Sequence, residues 1–371
     1  MYLMYKDIAV LYFDLDDFNI VCLNKDLVPY YLKGLNFLSS NRQDIFNNIQ
    51  MLREYLSSRV LSLSRKNAKQ LYTMFQIPQN NNIRTRVDIC LKCRGVAIQD
   101  SYWVKFNEDE LWSDYNIRSN ELNDIIDIAL YGNYPTASVN PICPELTTKG
   151  MFPKGWIRQD DKLYLLKTDS TVDFVNTKME VLASKILSCF NVTYVKYTGE
   201  LRSTETGKKY INKCVNFVSE DNSFVEAAEV ILYCNRVGID FEDFCLETFG
   251  NDFANIAVID YILMNTDRHT QNYGFLQDIN GKLIELAPLF DFNNALVSDY
   301  FSRDASDTMS QMFNKDESIY DCMKRYLPYS NLIFDYAKFN ELRSKNREYE
   351  YIFDNIMERV KIIRLLKRGR I

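Results

Sequence analysis

The apolar positions change period several times along the chain, and each change predicts a different element. From Asp7 to Asp14 the run DIAVLYFD predicts a strand, and Ile20 to Leu23, beyond the polar stretch Asp14 to Asn19, predicts its hairpin partner. Between Gly34 and Phe75 apolar residues return at helical spacing, as Ile45, Ile49, Leu52 and Leu56 and then Leu61, Ala68 and Leu71. Pro78 and the Asn80-Asn81-Asn82 loop stop that pattern. Tyr131-Gly132-Asn133-Tyr134-Pro135 and the Pro141/Pro144 pair interrupt the chain again, which sets an expected boundary near residue 140. The front portion, 1–140, therefore reads as a mixed, mainly helical α+β domain.

Beyond the boundary the pattern shortens. Trp156-Ile157 and Lys162 to Lys167 predict two strands around the turn Gln159-Asp160-Asp161. Asn176 to Phe190 predicts a helix whose apolar face is Met179, Leu182, Ala183, Ile186 and Leu187. Strands are expected at Val192 to Tyr197 and Tyr210 to Val218, joined through a turn at Thr206-Gly207-Lys208. Strand, strand, helix, strand, strand is the order of a small nucleotide-binding lobe, here 141–220. From Ser223 the chain reads as mainly helical: Phe224 to Cys234, Asp240 to Thr248, Asp252 to Met264, and again from Ile319 onward. A hairpin-like stretch, Gly274 to Leu286, turned at Asn280-Gly281, interrupts this third portion, 221–371. The fold class expected is α+β and bilobal, a small β-rich lobe beside a larger helical one, preceded by the front domain.

Composition adds exclusions. A length of 371 residues is enough for about two or three domain-sized units. The net charge of −6 argues against a surface built to neutralise nucleic-acid phosphates. The basic tail Lys361 to Arg370 reads as the charged last turn of a surface helix. No segment reaches the ~18 uninterrupted apolar residues of a membrane span, and Met1 to Tyr12 lacks the pattern of a secretory signal. A cytoplasmic protein without membrane contact is expected. Nine cysteines, an odd number, read as reduced thiols, and Cys90-Leu91-Lys92-Cys93 has no second pair or histidine nearby to complete a zinc site.

The chemistry concentrates in Asn265-Thr266-Asp267-Arg268-His269-Thr270-Gln271-Asn272, followed by Gly274 and by Ala287-Pro288-Leu289-Phe290-Asp291. This stretch follows a strongly apolar helix and holds the only histidine of the protein. Asp267 and Asn272 have the spacing with which a catalytic loop presents one carboxylate to an attacking hydroxyl and one amide oxygen to Mg²⁺. Asp291, arriving after the hairpin, is placed to bridge Mg²⁺ to nucleotide phosphates. The missing cation is expected from Lys167 at the end of an apolar strand, held by Glu180 on the next helix. The loop from Gly150 to Gly155 is a candidate to close over the phosphates, its glycines permitting close backbone approach.

These residues resemble the HipA-like kinases, bacterial serine/threonine kinases distantly related to eukaryotic protein kinases and lipid kinases. The resemblance rests on Asn265-x-Asp267-Arg268-His269-x-x-Asn272-x-Gly274 and on Ala287-Pro288-Leu289-Phe290-Asp291, with Lys167 and Asn176-x-x-x-Glu180 beside them, and covers about residues 145 to 330. It implies Asp267 as catalytic base, Asn272 and Asp291 as Mg²⁺ ligands and Lys167 as the ATP-phosphate contact, with His269 bracing the loop. It implies ATP and Mg²⁺ as cofactors and a Ser/Thr hydroxyl of a protein, or of the chain itself, as acceptor. A small-molecule acceptor or a non-catalytic protein-binding scaffold are the alternatives. Some family members autophosphorylate a serine in the phosphate loop; here that loop carries Thr147 and Thr148 and no serine between Pro144 and Trp156. The front domain is expected to differ from the short β-rich front domain of the family's toxins and to dock the substrate or a regulatory partner. Ser298, Ser302, Ser306, Thr308 and Ser310 make a hydroxyl-rich segment after Asp291, an activation-segment analogue by position.

Overall fold

The computed structural model describes residues 1–122, 125–133, 140–169, 171–204, 207–297, 301, 304–313 and 315–369; Tyr134-Pro135 of the expected break, Thr206 of the expected turn, Ser298 and Ser302 of the hydroxyl-rich segment and Arg370 of the tail lie outside them. The front portion builds a four-stranded antiparallel sheet from β1 (Tyr2–Tyr5), β2 (Ile8–Asp14), β3 (Asn19–Cys22) and β4 (Tyr102–Lys105), in the order β3-β2-β1-β4. The expected hairpin is β2 and β3, closed with Asp14 opposite Asn19. The pattern gave no sign of β1 and β4. Both are short and nearly continuously buried, so neither alternates, and β4 finds β1 across about a hundred residues of chain.

Helices α1 (Arg42–Ser58), α2 (Ala68–Met74), α3 (Ile83–Lys92), α4 (Trp112–Tyr115) and α5 (Ile126–Tyr131) accompany that sheet. Asn41 caps α1 by accepting from the Gln43 N–H, and Asn82 caps α3 by accepting from the Thr85 N–H. The asparagine run that ends one helical pattern thus starts the next helix. Ile49, Leu52 and Leu56 of α1 pack with Leu3, Val10, Leu11 and Phe13 in a core that also takes in Cys143 and Leu146. Packing therefore runs across residue 140 without a break.

The second sheet has the order β5-β6-β8-β7, from β5 (Lys154–Gln159), β6 (Lys162–Lys167), β7 (Tyr197–Thr204) and β8 (Gly207–Val215). Asp160 and Asp161 turn β5 into β6 with φ of 49° and 57°, the positive values a two-residue hairpin turn requires. The strand expected at Val192 to Tyr197 begins only at Tyr197. The residues before it instead bridge Tyr194 to Leu289, tying the two lobes. Helix α6 (Val175–Leu187) buries Met179, Leu182, Ala183, Ile186 and Leu187 in the same core as Phe253, Ile256 and Ile259, so it is anchored in the helical lobe while serving the small one.

The third sheet, β11-β10-β9, joins β9 (Asn222–Glu226) to the hairpin β10 (Gly274–Asp278) and β11 (Leu283–Leu286). Phe224 to Glu226, expected as helix, is strand: Ser223 and Val225 are buried in alternation and pair with residues of β10. Helix α7 (Ala227–Val237) follows. Helix α8 (Phe241–Leu263) is interrupted at Gly250, with φ 52° and ψ −122°, which accounts for the two helices read from the pattern. Helices α9 (Ile319–Tyr326), α10 (Tyr336–Lys345) and α11 (Glu350–Lys367) complete the lobe. The nine cysteines are free thiols, and all but Cys22 are buried. No helix among the described residues is long and apolar enough to cross a membrane.

Candidate active site

The turn at Asp160-Asp161 fixes a register in which Lys154 of β5 lies directly opposite Lys167 of β6. Residues directly opposite in an antiparallel pair project from the same face, so two lysines converge. The Lys167 ammonium donates to Glu180 Oε1 at 2.9 Å and to Asp291 Oδ1 at 2.8 Å. Lys167 is 3% exposed and Glu180 fully buried, so this cluster has almost no water to share its charge. The Asn212 amide donates to the other oxygen of Glu180. Burial alone would raise the Asp291 carboxyl, but the ammoniums of Lys167 and Lys154 outweigh it and hold Asp291 below the usual carboxylate range. The same balance works oppositely at Lys167, where Asp291 and Glu180 overcome burial and raise the ammonium. Lys154 has no carboxylate in ion-pair reach among the described residues, and burial together with the Lys167 charge pushes it down to about 8.

Asp267 enters from the other side. Helix α8 ends at Met264 in a left-handed conformation with φ 49°, which turns the chain into the loop. Arg268, 1% exposed, braces that loop: its guanidinium donates to Asp260 on α8, to the Asn272 carbonyl at 2.6 Å and to the Phe290 carbonyl at 2.8 Å. One side chain therefore ties the end of α8, the Asp267 loop and the approach to Asp291. The Asn294 amide donates to Asp267 Oδ2 at 3.0 Å, and the Asn176 amide donates in turn to Asn294 Oδ1 at 3.0 Å and to the Asn293 carbonyl at 2.8 Å. Burial raises the Asp267 carboxyl, and the nearby Asp291 charge adds to that. The His269 ring accepts from the Gln271 N–H at Nδ1, and its Nε2 stands 4.0 Å from Asp267 Oδ1.

These groups line one cavity of about 500 Å³. Asp267, His269, Asn272, Asp291, Asn293, Lys154, Lys167 and Gly150 are in its polar lining, and Leu165, Val195, Tyr197, Phe217 and Phe290 in its apolar lining. An apolar slot beside paired cations suits a flat base carrying phosphates. The donor set also suits a hard divalent ion. The Asn272 amide donates to the Asp267 carbonyl at 2.7 Å, which leaves its own oxygen without a partner among the described residues. Asn293 Oδ1 is buried and likewise without a partner. Among the described residues there is no cluster of three His, Cys, Asp or Glu side chains that would hold a metal by themselves. A site of one carboxylate and neutral oxygens is the kind Mg²⁺ completes with substrate phosphates and water.

The structure thus brings Asp267, His269, Lys167, Asn272, Asp291 and Gly150 to one cavity, with Glu180 directly behind Lys167. It does not bring Gly155 there. Gly155 lies within β5, where a Cβ would stand 2.5 Å from Ile126 Cδ1 and 3.1 Å from Ala129 Cβ, so its small size serves the packing of α5. Sequence reasoning passed over Lys154, although the hairpin register, counted outward from Asp160-Asp161, pairs it with Lys167. It also passed over Asn294, Asn293 and Asp260. The one available signal for Asp260 was an acid amid the apolar run Ile256 to Leu263.

No family model and no curated protein matches the chain. Solved structures do. The chain is similar to HipA in a structure of the Shewanella oneidensis MR-1 toxin–antitoxin system HipA, HipB and its operator DNA, with a TM-score of 0.50 and 11% identity over 99% of this chain and 95% of that one. It is also similar to the Helicobacter pylori proinflammatory kinase CtkA, with a TM-score of 0.44 and 16% identity over 60% of this chain and 93% of that one. The likeness to HipA establishes an α+β, bilobal, HipA-like kinase fold. It extends through the front portion, whose four-stranded sheet is more β-rich than its helical sequence pattern implied.

Proposed function

We propose that this protein is an ATP- and Mg²⁺-dependent kinase that transfers the γ-phosphate to a Ser/Thr hydroxyl of a protein, or of itself. The observation that carries this reading is the buried Lys167, bonded at once to Glu180 and Asp291, in a cavity that also presents the Asp267 carboxylate. Phosphoryl transfer asks a protein mainly for positioning and charge stabilisation, and these residues supply both. Lys167 and Lys154 bind the phosphates as point charges. Asn272 and Asp291 would hold Mg²⁺, which when bound neutralises charge on the β- and γ-phosphate oxygens.

Asp267 orients the acceptor hydroxyl and takes its proton as the hydroxyl oxygen bonds to the γ-phosphorus and the bond to the β,γ-bridging oxygen breaks. A carboxyl raised by burial is a better proton acceptor than an ordinary one. His269, half-exposed and outside hydrogen-bond distance of Asp267, braces the loop. Ser58, Ser62 and Gln99 of the front portion line the same cavity, which supports the front portion as the part that meets the acceptor. The free thiols fit a reducing cytoplasm.

Intact-mass measurement after incubation with Mg·ATP, alone and with lysate proteins, tests the reading. The parent is expected to gain phosphate or to label a protein, and Asp267→Ala to do neither while remaining folded. A parent protein that neither binds ATP nor labels anything would sink it.

A further inference from the structure

Four backbone carbonyls in and beside the loop around Gly150 receive donors from one short segment of the front portion, 61–66. The Leu61 N–H donates to the Leu146 carbonyl at 2.7 Å and the Lys66 N–H to the Met151 carbonyl at 3.3 Å. The Arg65 guanidinium donates to the Thr148 carbonyl at 3.3 Å and also to the Lys154 carbonyl. Thr148 and Lys154 are the two ends of the loop that carries Gly150, so a single planar group draws both ends together. Lys154, whose ammonium faces the cavity, is one of those ends.

Arg65 is 2% exposed, and no carboxylate lies within ion-pair distance of it among the described residues. The acid that acts on it most, Glu145, accepts from the Trp156 N–H at 3.1 Å through one oxygen and leaves the other without a partner. A buried guanidinium that rests on carbonyls, with a carboxylate near but not bonded to it, keeps its positive charge only partly offset. That charge acts on Lys154, as part of what disfavours a second ammonium there. An anion arriving at the loop relieves the repulsion. Geometry and charge therefore point the same way: Arg65 braces the loop and makes its surroundings favourable to phosphate.

We infer that Arg65 is a positioning residue for the triphosphate, through which the front portion shapes the phosphate loop. The inference rests on the kinase reading above and assigns the front portion a role inside the nucleotide site. It separates the phosphate-binding lining of the cavity from the apolar lining of Leu165, Tyr197 and Phe217, because Arg65 bonds to the loop and does not itself line the cavity. Loss of Arg65 should weaken binding of the phosphates and spare the base.

The experiment is calorimetric titration of the full-length protein, wild type, Arg65→Met and Arg65→Lys, with Mg·ATP and separately with adenosine. Arg65→Met is expected to weaken Mg·ATP binding about tenfold or more while adenosine binding stays within about twofold. Arg65→Lys, which keeps the charge and a donor, should recover part of the loss. If Arg65→Met does not fold, the Lys variant alone decides by the same selective loss. Equal weakening of both ligands, or no change in either, overturns the inference while leaving the kinase reading intact. A wild type that binds neither ligand overturns both.

Discussion

Lys167 Nζ stands 2.8 Å from Asp291 Oδ1 while it also holds Glu180 Oε1, so one buried ammonium serves carboxylates from two different elements. Deleting it leaves the buried Glu180 without its cation and Asp291 with only the more distant Lys154. Removing one member of a buried charge cluster costs about 3–5 kcal/mol. Lys167→Met is therefore expected to lose about 3 kcal/mol of unfolding free energy, together with phosphate transfer. Glu180→Gln removes one carboxylate and turns an amide NH2 toward one of the two donors, Lys167 or Asn212. It should also cost stability, less than Lys167→Met because Asp291 still pairs the ammonium, and a less firmly placed lysine should weaken ATP binding. Urea unfolding and ATP titration of the two variants check this. A Lys167→Met protein as stable as the parent would show that the cluster is not strained by its loss.

Lys154 gives a pH prediction. Its ammonium sits at about 8, below its ordinary 10.5, so between those values the unfolded chain holds more protons than the folded one. Stability carried by this group therefore rises as pH climbs from about 8 and is complete above the unfolded value. Relative to Lys154→Met, the wild type should gain stability over that window. A polyphosphate beside Lys154 favours the charged form, so ATP binding near pH 8 should take up a proton, about half a proton per site at most. Calorimetry in two buffers of different ionisation enthalpy measures the uptake. Buffer-independent heats at pH 8, identical in Lys154→Met, would refute it.

How much of this was legible in the sequence depends on how far apart the cooperating residues lie. Asp267, Asn272 and Asp291 occupy one short stretch after an apolar helix, so spacing and residue type were enough to single them out as candidates that line one cavity. The same holds for the β5–β6 and β10–β11 hairpins, whose turns are local. Strand β4 pairs with β1 from the far side of the front portion, and β9 pairs with β10 after two intervening helices, so no local period announces either. Lys154 lay within reach, since the turn at Asp160-Asp161 fixes its partner. Arg65 did not: its bonds to the loop cross more than eighty residues, and a lone arginine between helices carries no sign of burial.

The relay Asn176–Asn294–Asp267 predicts a kinetic split. The Asn294 amide holds one oxygen of the Asp267 carboxylate, and Asn176 fixes the Asn294 rotamer. A hydrogen bond to a charged group contributes roughly 1.5–3 kcal/mol. Asn294→Ala should therefore lower kcat about tenfold to a hundredfold with little change in KM for ATP, because neither amide touches Lys167. Asn176→Ala should do the same more weakly. Steady-state kinetics at saturating acceptor tests both, and a change confined to KM for ATP would contradict the relay.

Two glycines, Gly150 in the loop and Gly155 in the strand β5 that follows it, should respond oppositely to alanine. Gly150 has φ +100°, where a side chain is strained by about 1–3 kcal/mol, and an added Cβ would press on the Lys154 ammonium. That ammonium must move, so Gly150→Ala should impair ATP binding more than it lowers the melting temperature. Gly155 sits in an ordinary strand conformation, but its Cβ would press on Ile126 and Ala129 of α5. Overpacking of this kind costs about 1–3 kcal/mol. Gly155→Ala should therefore destabilise the fold while the folded fraction binds ATP normally. Melting temperature and ATP affinity measured side by side separate the two, and the reverse pattern would mean that Gly155, not Gly150, faces the phosphates.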